Sequence, residues 1–472
     1  MTAVKKHRDF TTGPIFFPVL TFAVPIVLSG LLQILYNMAD QVVVGQFSGD
    51  PNALAAVGST ASLTSLLTNF ALGLSAGAGV VVAQHFGAAR KRELEQAVHT
   101  SIALSLVCGV VFGLIGVFGS RVLLALMGTQ PEILETAALY MRINFLAFPA
   151  TMVYNFGATI LRSVGNSRLP LYILAAAGLI NVGFNLVFVI VFDLGVLGVA
   201  LATAIAQYLS AITVMIVLAR SKAEYRFSLK KMRIHHGILG NVLRIGVPSG
   251  IQGCCFALAN VIIQTAVNSF PATVLPSGET ITDTVTGRTI SSSIEAFVYV
   301  AMHAFLQATL TFVGQNYGAG KRDRMKRSLF SALFWVGTIG LGIGVLLLLF
   351  FEPLCALYID TSLPGVELVL ARARESAVIV LPTYFLCGIM EVLSGYLRGR
   401  GCSLVPMISS LFGACVFRIF WIKVIFPLAP FHTLGGIIVS WPVSWVMVCV
   451  LHLLTIVFVL NKEKRQRTAI LS

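Results

Sequence analysis

Charged residues are scarce in this sequence of 472 residues. Asp, Glu, Lys and Arg together make up 11% of the chain, whereas hydrophobic residues make up 57%. Because soluble domains carry roughly 25% charged residues, this composition excludes a soluble globular enzyme, a disordered chain and a fibrous protein. A chain this apolar is expected to be surrounded mostly by lipid.

Acidic residues are the scarcer charge type, with 19 Asp and Glu against 33 Lys and Arg and a net charge of +14. In a soluble protein this balance would suggest a nucleic-acid partner. Here the basic residues lie in short clusters between apolar runs, which points instead to a bilayer with anionic lipids. No nucleic-acid partner is therefore predicted. The eight cysteines form no CxxC motif and no Cys/His cluster, so no metal site is predicted either.

Enzyme signatures are missing as well. The sequence has no P-loop, no HExxH and no G-x-S-x-G motif. The chain is therefore predicted not to be an enzyme, and it lacks the motor needed for transport driven by its own ATP hydrolysis. A channel would need a repeated pore filter, which is also absent.

Twelve apolar stretches are long enough to cross a bilayer, which takes about 20 residues. Backbone polar groups must be satisfied inside lipid, and the alternation typical of a membrane barrel is absent, so each stretch is predicted to be a helix. The predicted fold class is all-α integral membrane, with twelve transmembrane helices in two pseudo-symmetric six-helix bundles. The predicted limits are 15–46, 54–83, 97–119, 137–161, 169–192, 197–219, 241–268, 293–316, 329–351, 375–397, 404–427 and 434–460.

The loops between these stretches are alternately basic and non-basic. With the N-terminus inside, the inner segments hold 26 of the 33 basic residues, which predicts a multi-pass protein with both termini in the cytoplasm. Of the outer loops, 269–292 is long, polar and rich in turn residues.

The two halves of the sequence repeat. The matching pairs are Pro25 and Pro248, Asn37 and Asn260, Gln84 and Gln315, Gly87 and Gly318, Arg162 and Arg398, and Gly165 and Gly401. The spacing between partners grows from 223 to 231 residues, which indicates a small insertion at 271–290 of the second half. The predicted domains are an N-terminal bundle 1–219, a cytoplasmic linker 220–240 and a C-terminal bundle 241–472, with the substrate expected between the bundles.

The matched motifs resemble the multidrug and toxic compound extrusion (MATE) family, and within it the DinF-like branch of prokaryotes. The motifs are Leu35-Tyr36-Asn37-Met38-Ala39-Asp40, Gly314-Gln315-Asn316-Tyr317-Gly318-Ala319-Gly320-Lys321, Leu161-Arg162-Ser163-Val164-Gly165 with Leu397-Arg398-Gly399, and Gly195-Val196-Leu197-Gly198 leading to Thr203. The resemblance implies a bacterial inner-membrane exporter of organic cations and other amphipathic compounds. It also implies an inward proton or sodium gradient as the driving force, with no cofactor besides that ion. A monomer is expected.

Asp40 is the candidate coupling carboxylate. It lies mid-helix on the same face as Asn37, where a charge costs at least about 2.5–3.5 kcal/mol and a proton or sodium ion can bind. The resemblance implies that Asn181, Asn185 and Thr203 gather around it, although many relatives carry a second Asp where this chain has Asn185. This missing acid favours protons over sodium. The alternative is a hydrogen-bonded polar group that only ties helices together.

Three further charges lie in the second half, namely Glu295, Glu391 and Arg418. Glu295 begins the eighth span, either inside it or at its outer edge. Arg418 is predicted to pair with Glu391, because a lone guanidinium in lipid is costly. Such a pair is either a static lock or a contact that loosens on protonation of Glu391.

Several other polar, aromatic and methionine residues lie on helices that face the cleft in the family. Such surfaces adapt to varied apolar cations, but ordinary helix packing is the alternative for each of them. These residues are Gln33, Tyr36, Asn37, Met152, Tyr154, Asn155, Gln252, Phe256, Met302, Phe305 and Met390.

Two other transporter classes are alternatives. A lipid-linked precursor flippase of the same superfamily is the main rival, although the candidate cleft acids favour cations. A major-facilitator transporter also has two six-helix halves, but the loop after the second span lacks its typical Asp-Arg-x-Gly-Arg motif.

Overall fold

The computed structural model describes residues 9–48, 52–278, 280–360, 362 and 364–471, and these residues are almost entirely helical. One hairpin of two short strands, β1 (Thr273–Val274) and β2 (Thr280–Ile281), interrupts the helices. The helices are α1 (Phe16–Phe47), α2 (Ala53–Gly87), α3 (Lys91–Leu126), α4 (Pro131–Ser163), α5 (Arg168–Leu186), α6 (Gly195–Arg220), α7 (His236–Asn268), α8 (Asp283–Gly318), α9 (Arg322–Leu349), α10 (Phe351–Cys355), α11 (Val366–Gly399), α12 (Leu404–Ser410), α13 (Phe417–Phe420), α14 (Leu434–Ile438) and α15 (Ser440–Leu471).

The described residues contain eleven helical spans that are long and apolar enough to cross a membrane. Helix α4 is the twelfth of comparable length, with 33 residues, but it is less apolar. It packs against α2, α3 and α6, so protein rather than lipid surrounds much of its surface and its polar residues are sheltered. The predicted all-α fold with twelve membrane-length helices is confirmed.

The sequence repeat is reproduced in the backbone at helix ends. Gly165 and Gly401 both have φ +87°, and each closes its helix with the same backbone hydrogen bond. Gly165 N donates to Arg162 O at 2.9 Å, and Gly401 N donates to Arg398 O at 2.7 Å. A side chain is strained at such a φ, which explains why both copies of the motif end in glycine.

Wider helical turns also recur in the two halves. Helix α5 continues as a π-helical segment at Val187–Val191, and the corresponding segment Trp421–Ile425 follows α13. A further π-helical segment, Leu411–Val416, joins α12 to α13. Because π turns are rare and concentrate at functional sites, their recurrence supports the repeat and directs attention to α5 and its counterpart.

The chain divides into two compact units. The first comprises 21–250 with residues up to 14 and 310–325, and the second comprises 15–20, 251–309 and 326–472. Helices α7 and α8 each contribute to both units. The domain boundaries predicted from the sequence, which follow the repeat rather than the contacts, stay a prediction.

Two copies of the repeated Gln-x-x-Gly motif cross each other in the first unit. A Cβ atom on Gly87 would lie 1.9 Å from the carbonyl oxygen of Gln315, and one on Gly318 would lie 1.8 Å from that of Gln84. The side chain of Gln315 adds to this junction, since it accepts from Phe10 N at 2.9 Å and donates to Ser163 O at 2.8 Å. Only glycine permits so close a backbone approach.

Replacing Gly318 with alanine is therefore expected to lower the yield and thermal stability of the folded protein severely, because backbone rather than a flexible side chain blocks the new methyl group. The matched control is Gly337→Ala in α9, where a Cβ would meet nothing within 4 Å. That change should be neutral or slightly stabilising. Melting curves of the detergent-purified variants measure both effects, and equal stability of the two would contradict the close packing.

The prediction of a long outer loop over 269–292 is wrong for the second part of that range. Helix α8 begins at Asp283, ten residues before the predicted start of its span. The Asp283 carboxylate accepts from Thr273 Oγ1 at 2.9 Å, which ties the hairpin to the helix start. Gly287 lets this polar extension pack closely on α11, near the carbonyl oxygen of Val369. Tertiary packing therefore supports a helical segment too polar to be recognised as a span.

Candidate functional site

The carboxylate of Asp40 lies where α1 meets α5 and α6 in the first unit. Asn185 Nδ2 donates to its Oδ1 at 2.5 Å, and Thr203 Oγ1 donates to its Oδ2 at 3.3 Å. Asp40 is half-buried, whereas Asn185 is fully buried. The structure thus brings together, from three helices, residues that the sequence resemblance associated with one another.

A second row of polar groups extends the cluster. Asn181 Nδ2 donates to Thr203 Oγ1 at 3.2 Å, and Asn185 Nδ2 also approaches Asn181 Oδ1 at 3.4 Å. The Oδ1 of Asn185 is buried and has no hydrogen-bond partner among the described residues. An unpartnered buried acceptor costs free energy, so this oxygen is available for a proton donor or a cation.

No basic side chain forms an ion pair with Asp40 in the part of the chain that the structure describes; its polar contacts are with the neutral side chains of Asn185 and Thr203. A carboxylate held this way keeps its charge available for a proton, a metal cation or an organic cation. The cluster can therefore act chemically as an exchangeable cation site made of oxygen ligands.

The helix face next to Asp40 carries three of the predicted cleft residues. Tyr36 donates its hydroxyl to Ala175 O at 3.2 Å, and its ring packs on Gly178, where a Cβ would lie only 1.7 Å from a ring atom. Gln33 and Asn37 are exposed and hydrogen-bond each other at 3.3 Å. Tyr36 thus fixes α1 against α5, while the two amides are free to meet a solute.

The remaining predicted cleft residues differ in exposure. Asn155 and Phe256 are half-buried. The others are buried among neighbouring helices, and contact of any of them with a substrate stays a prediction. The buried set comprises Met152, Tyr154, Gln252, Met302, Phe305 and Met390.

Glu295 belongs to a buried ion pair that the sequence interpretation missed. Arg288 donates to its two carboxylate oxygens at 2.5 Å and 3.0 Å, and Ser291 Oγ donates to Oε1 at 2.8 Å. Arg288 also donates to Ser376 Oγ at 2.8 Å and lies 4.4 Å from the ring centroid of Trp441. The seven-residue spacing of Arg288 and Glu295 places them two turns apart on one helix face, but it is a signal only if the helix begins before Arg288.

The predicted pairing of Arg418 with Glu391 is wrong. Arg418 is buried and donates to Ser444 Oγ at 3.1 Å and 3.2 Å and to Asn260 Oδ1 at 3.3 Å. Its guanidinium lies 5.7 Å from the centroid of Trp441. Neutral acceptors and an aromatic face together compensate the guanidinium, so no carboxylate is required beside it.

Glu391 is buried and makes no hydrogen bond or ion pair with any described residue. The basic residue that acts on it electrostatically is Arg398, two turns further along α11. The Arg398 guanidinium itself hydrogen-bonds to Gln252, whose Nε2 donates to Ser410 Oγ at 2.7 Å. Glu391 is thus a buried acid whose side chain is not held by a hydrogen bond or an ion pair with any described residue.

These contacts predict opposite effects for two substitutions. Ser444→Ala removes the acceptor that Arg418 uses twice and should destabilise the protein by roughly 1–3 kcal/mol. Glu391→Gln, which would break the pair expected from the sequence, should leave the melting temperature unchanged or higher. Thermal unfolding of the two purified variants measures the difference, and the reverse order would restore the Arg418–Glu391 pair.

Comparison with known proteins decides the family. The MatE family model matches residues 25–187 and 248–422, well over half of the chain. The chain belongs to the MatE family. The two matched segments begin at Pro25 and Pro248, which are partners in the sequence repeat. Members of the family are transporters, so this MATE protein is a multi-pass membrane transporter of small molecules and not an enzyme.

Relatives and solved structures agree with this assignment. "Probable multidrug resistance protein YoeA" of Bacillus subtilis (strain 168) is 26% identical over 398 residues, which cover 83% of this chain and 82% of that protein. "Probable multidrug resistance protein NorM" of Thermotoga maritima is 23% identical over 401 residues, covering 82% and 81%. The MATE resemblance and the membership of a multidrug efflux family are confirmed, and the DinF-like placement stays a prediction.

Two solved structures share the fold of this MATE protein. One is described as "Outward-facing conformation of a multidrug resistance MATE family transporter of the MOP superfamily" and matches with a TM-score of 0.85 at 20% identity, covering 98% of this chain and 100% of that one. The other, from Pyrococcus furiosus, is described as "Reverse polarity of binding pocket suggests different function of a MOP superfamily transporter" and matches with a TM-score of 0.83 at 20% identity over 100% of both chains.

Proposed function

We propose that this MATE protein exports organic cations and amphipathic compounds by proton-coupled antiport, with Asp40 as the coupling carboxylate. The observation that carries the proposal is the half-buried Asp40 carboxylate, which is hydrogen-bonded to Asn185 and Thr203 and has no basic partner among the described residues. One proton at this position removes the only charge of the cluster. The names of the multidrug relatives support the substrate class.

Protonation reverses the direction of one hydrogen bond in this scheme. The ionised carboxylate accepts from Asn185 Nδ2 and Thr203 Oγ1. The protonated form carries an O–H, and Asn185, which already contacts the carboxylate, has an unpartnered acceptor in its Oδ1. Turning the Asn185 amide satisfies both groups. Loading the proton thereby changes the contact between α1 and α5.

The same charge couples the proton to the substrate. A cationic substrate is attracted while Asp40 is ionised and loses that attraction when a proton arrives from outside. After alternating access returns the site inward, lower proton activity releases the proton and restores the affinity for cations. The gradient drives export only through this difference in affinity between the two states.

Sodium remains the other candidate ion, because Asp40, Asn181, Asn185 and Thr203 together offer oxygen ligands. Sodium favours sites with more carboxylate charge, so Asn185→Asp is expected to let a sodium gradient drive efflux that only a proton gradient drives in the wild type. Transport by reconstituted protein under each gradient measures the switch. Sodium-driven transport by the wild type, unchanged in the variant, would contradict proton coupling.

The cellular setting follows from charge and relatives. The basic loops support a topology with both termini in the cytoplasm, and the Bacillus and Thermotoga relatives support a bacterial cytoplasmic membrane. The protein is proposed to work as a monomer, since each chain carries both halves of the repeat.

Proteoliposomes test the proposed activity. Purified protein is reconstituted, a proton or a sodium gradient is imposed, and movement of a fluorescent organic cation is followed. The proposal expects a proton gradient alone to drive accumulation on the acidic side. No movement under either gradient would contradict cation antiport.

A lipid-linked precursor flippase is the second candidate, and Arg418 is the observation that favours it. The acceptors of this buried cation among the described residues are all neutral, so its positive charge remains available to attract an anionic substrate such as a pyrophosphate. The same proteoliposomes, loaded with a fluorescent lipid pyrophosphate, decide between the candidates: gradient-independent flipping that Arg418→Gln abolishes would replace the cation exporter.

A further inference from the structure

The segment between α6 and α7 is fixed to the start of α3 by a series of polar and aromatic contacts. The ring of Phe227 stacks on His99 at 5.2 Å, and Ser228 N donates to His99 Nε2 at 3.0 Å. Lys231 pairs with Glu95 at 2.8 Å. Further along, His235 N donates to Thr100 Oγ1 at 3.1 Å. The segment therefore follows α3 over residues 95–100.

These contacts give the depth of the segment in the membrane. Helix α3 carries four charged residues between Lys91 and Glu95 and then none before Arg121. The helix therefore enters the apolar layer close to residues 95–100. Because Thr100 is bonded to His235 and approaches Arg233 O at 3.4 Å, residues 229–234 are expected at the boundary between headgroups and acyl chains.

Residues 229–234 comprise three apolar and three basic side chains, and all six are exposed. Leu229 is 75% exposed and Ile234 is 42% exposed. Lys230 and Arg233 are exposed and form no ion pair with a described residue. Apolar side chains exposed to water on this scale are costly, whereas the same surface at a lipid interface is stabilising.

We propose that residues 229–234 form a binding site for anionic phospholipids of the inner leaflet. Leu229, Met232 and Ile234 insert between the acyl chains, while Lys230 and Arg233 contact the phosphate groups. The charge is complementary, since the Lys/Arg distribution assigns this side to the cytoplasm, where the leaflet surface is negative. The site anchors the connection between the two halves of the transporter.

Lipid binding tests the charge part of the proposal. Phosphatidylglycerol is titrated into the purified full-length protein in detergent, and bound lipids are counted by native mass spectrometry. Because each basic residue near an anionic surface contributes about fivefold in affinity, Lys230→Gln with Arg233→Gln should weaken binding of one lipid by roughly 30-fold. The control double variant Lys222→Gln with Lys326→Gln, which also removes two exposed charges, should retain it. Equal losses in both variants would overturn the site.

Depth tests the apolar part. A tryptophan is placed at Leu229 or, as a control in the same segment, at Lys222, and the added emission is followed in nanodiscs. Lipids brominated near the headgroup should quench Leu229→Trp at least about twofold more strongly than Lys222→Trp, and aqueous iodide should quench in the opposite order. Equal quenching by iodide at both positions would overturn the proposal. It would mean that the segment faces water and is available to a soluble partner instead.

Discussion

Replacing Asp40 with asparagine is expected to abolish gradient-driven efflux and leave only passive leak. Asparagine keeps the size of the side chain and one accepting oxygen, can donate from its amide nitrogen to the Thr203 hydroxyl, and holds the side chain permanently neutral. The cluster with Asn185 and Thr203 still forms, so the variant should insert and fold. Without an ionisable group the site neither binds nor releases a proton, and a gradient has nothing on which to act.

The control for this variant is Asp193→Asn, in the loop after α5. Asp193 is exposed and has a φ of +51°, a conformation that asparagine tolerates well. Efflux of a fluorescent cation from cells and proteoliposomes should be normal in the control and absent in Asp40→Asn. Retained gradient-driven efflux in Asp40→Asn would remove Asp40 from the mechanism and leave Glu391 as the buried acid without a fixed partner.

Glu295→Gln is expected to have the largest effect on stability. The Arg288–Glu295 pair is buried, with about 6–7% of each side chain exposed. Removing one member leaves the other charge buried without compensation, which costs about 3–5 kcal/mol. Trp441 and Ser376 remain beside Arg288, but neither carries a negative charge. The apparent melting temperature of the purified variant should fall by several degrees.

Two further variants separate this ion pair from general damage. The double variant Arg288→Gln with Glu295→Gln removes both charges and should recover much of the lost stability. Arg374→Gln breaks the exposed pair with Glu352, in which both side chains are more than 60% exposed, and should change stability by less than about 1 kcal/mol. A double variant that is as unstable as Glu295→Gln would show that the charges are not coupled.

Much of the fold could be predicted from the sequence because lipid imposes strict rules. Apolar runs of sufficient length must be helical, and nine of the twelve predicted spans correspond to single continuous α-helices. The repeat could also be read, because the turn at Gly165 and Gly401 needs the same residue in both halves. The π-helical segments at Val187–Val191 and Trp421–Ile425 could not be predicted, because they do not change the hydropathy of the sequence.

The partners of buried charges were less predictable. The rule that a buried arginine needs compensation holds for Arg418, but a hydroxyl and an aromatic face of α15 and an amide of α7 provide it. Sequence distance favoured Glu391, whereas the tertiary arrangement places Ser444 and Asn260 closer. Arg288 lies in a segment taken for a loop, so its pairing with Glu295 required the helical extension of α8.

Proton release on substrate binding tests the central claim most directly. An organic cation is added to the purified protein in weakly buffered solution near neutral pH, and the protons released are counted against the cation bound. If the cation and the proton compete for Asp40, the wild type releases up to about one proton per bound cation, and cation affinity rises with pH. Asp40→Asn should release none, while Asp193→Asn behaves as the wild type. Cation binding without proton release in the wild type, or the same release from Asp40→Asn, would contradict the account.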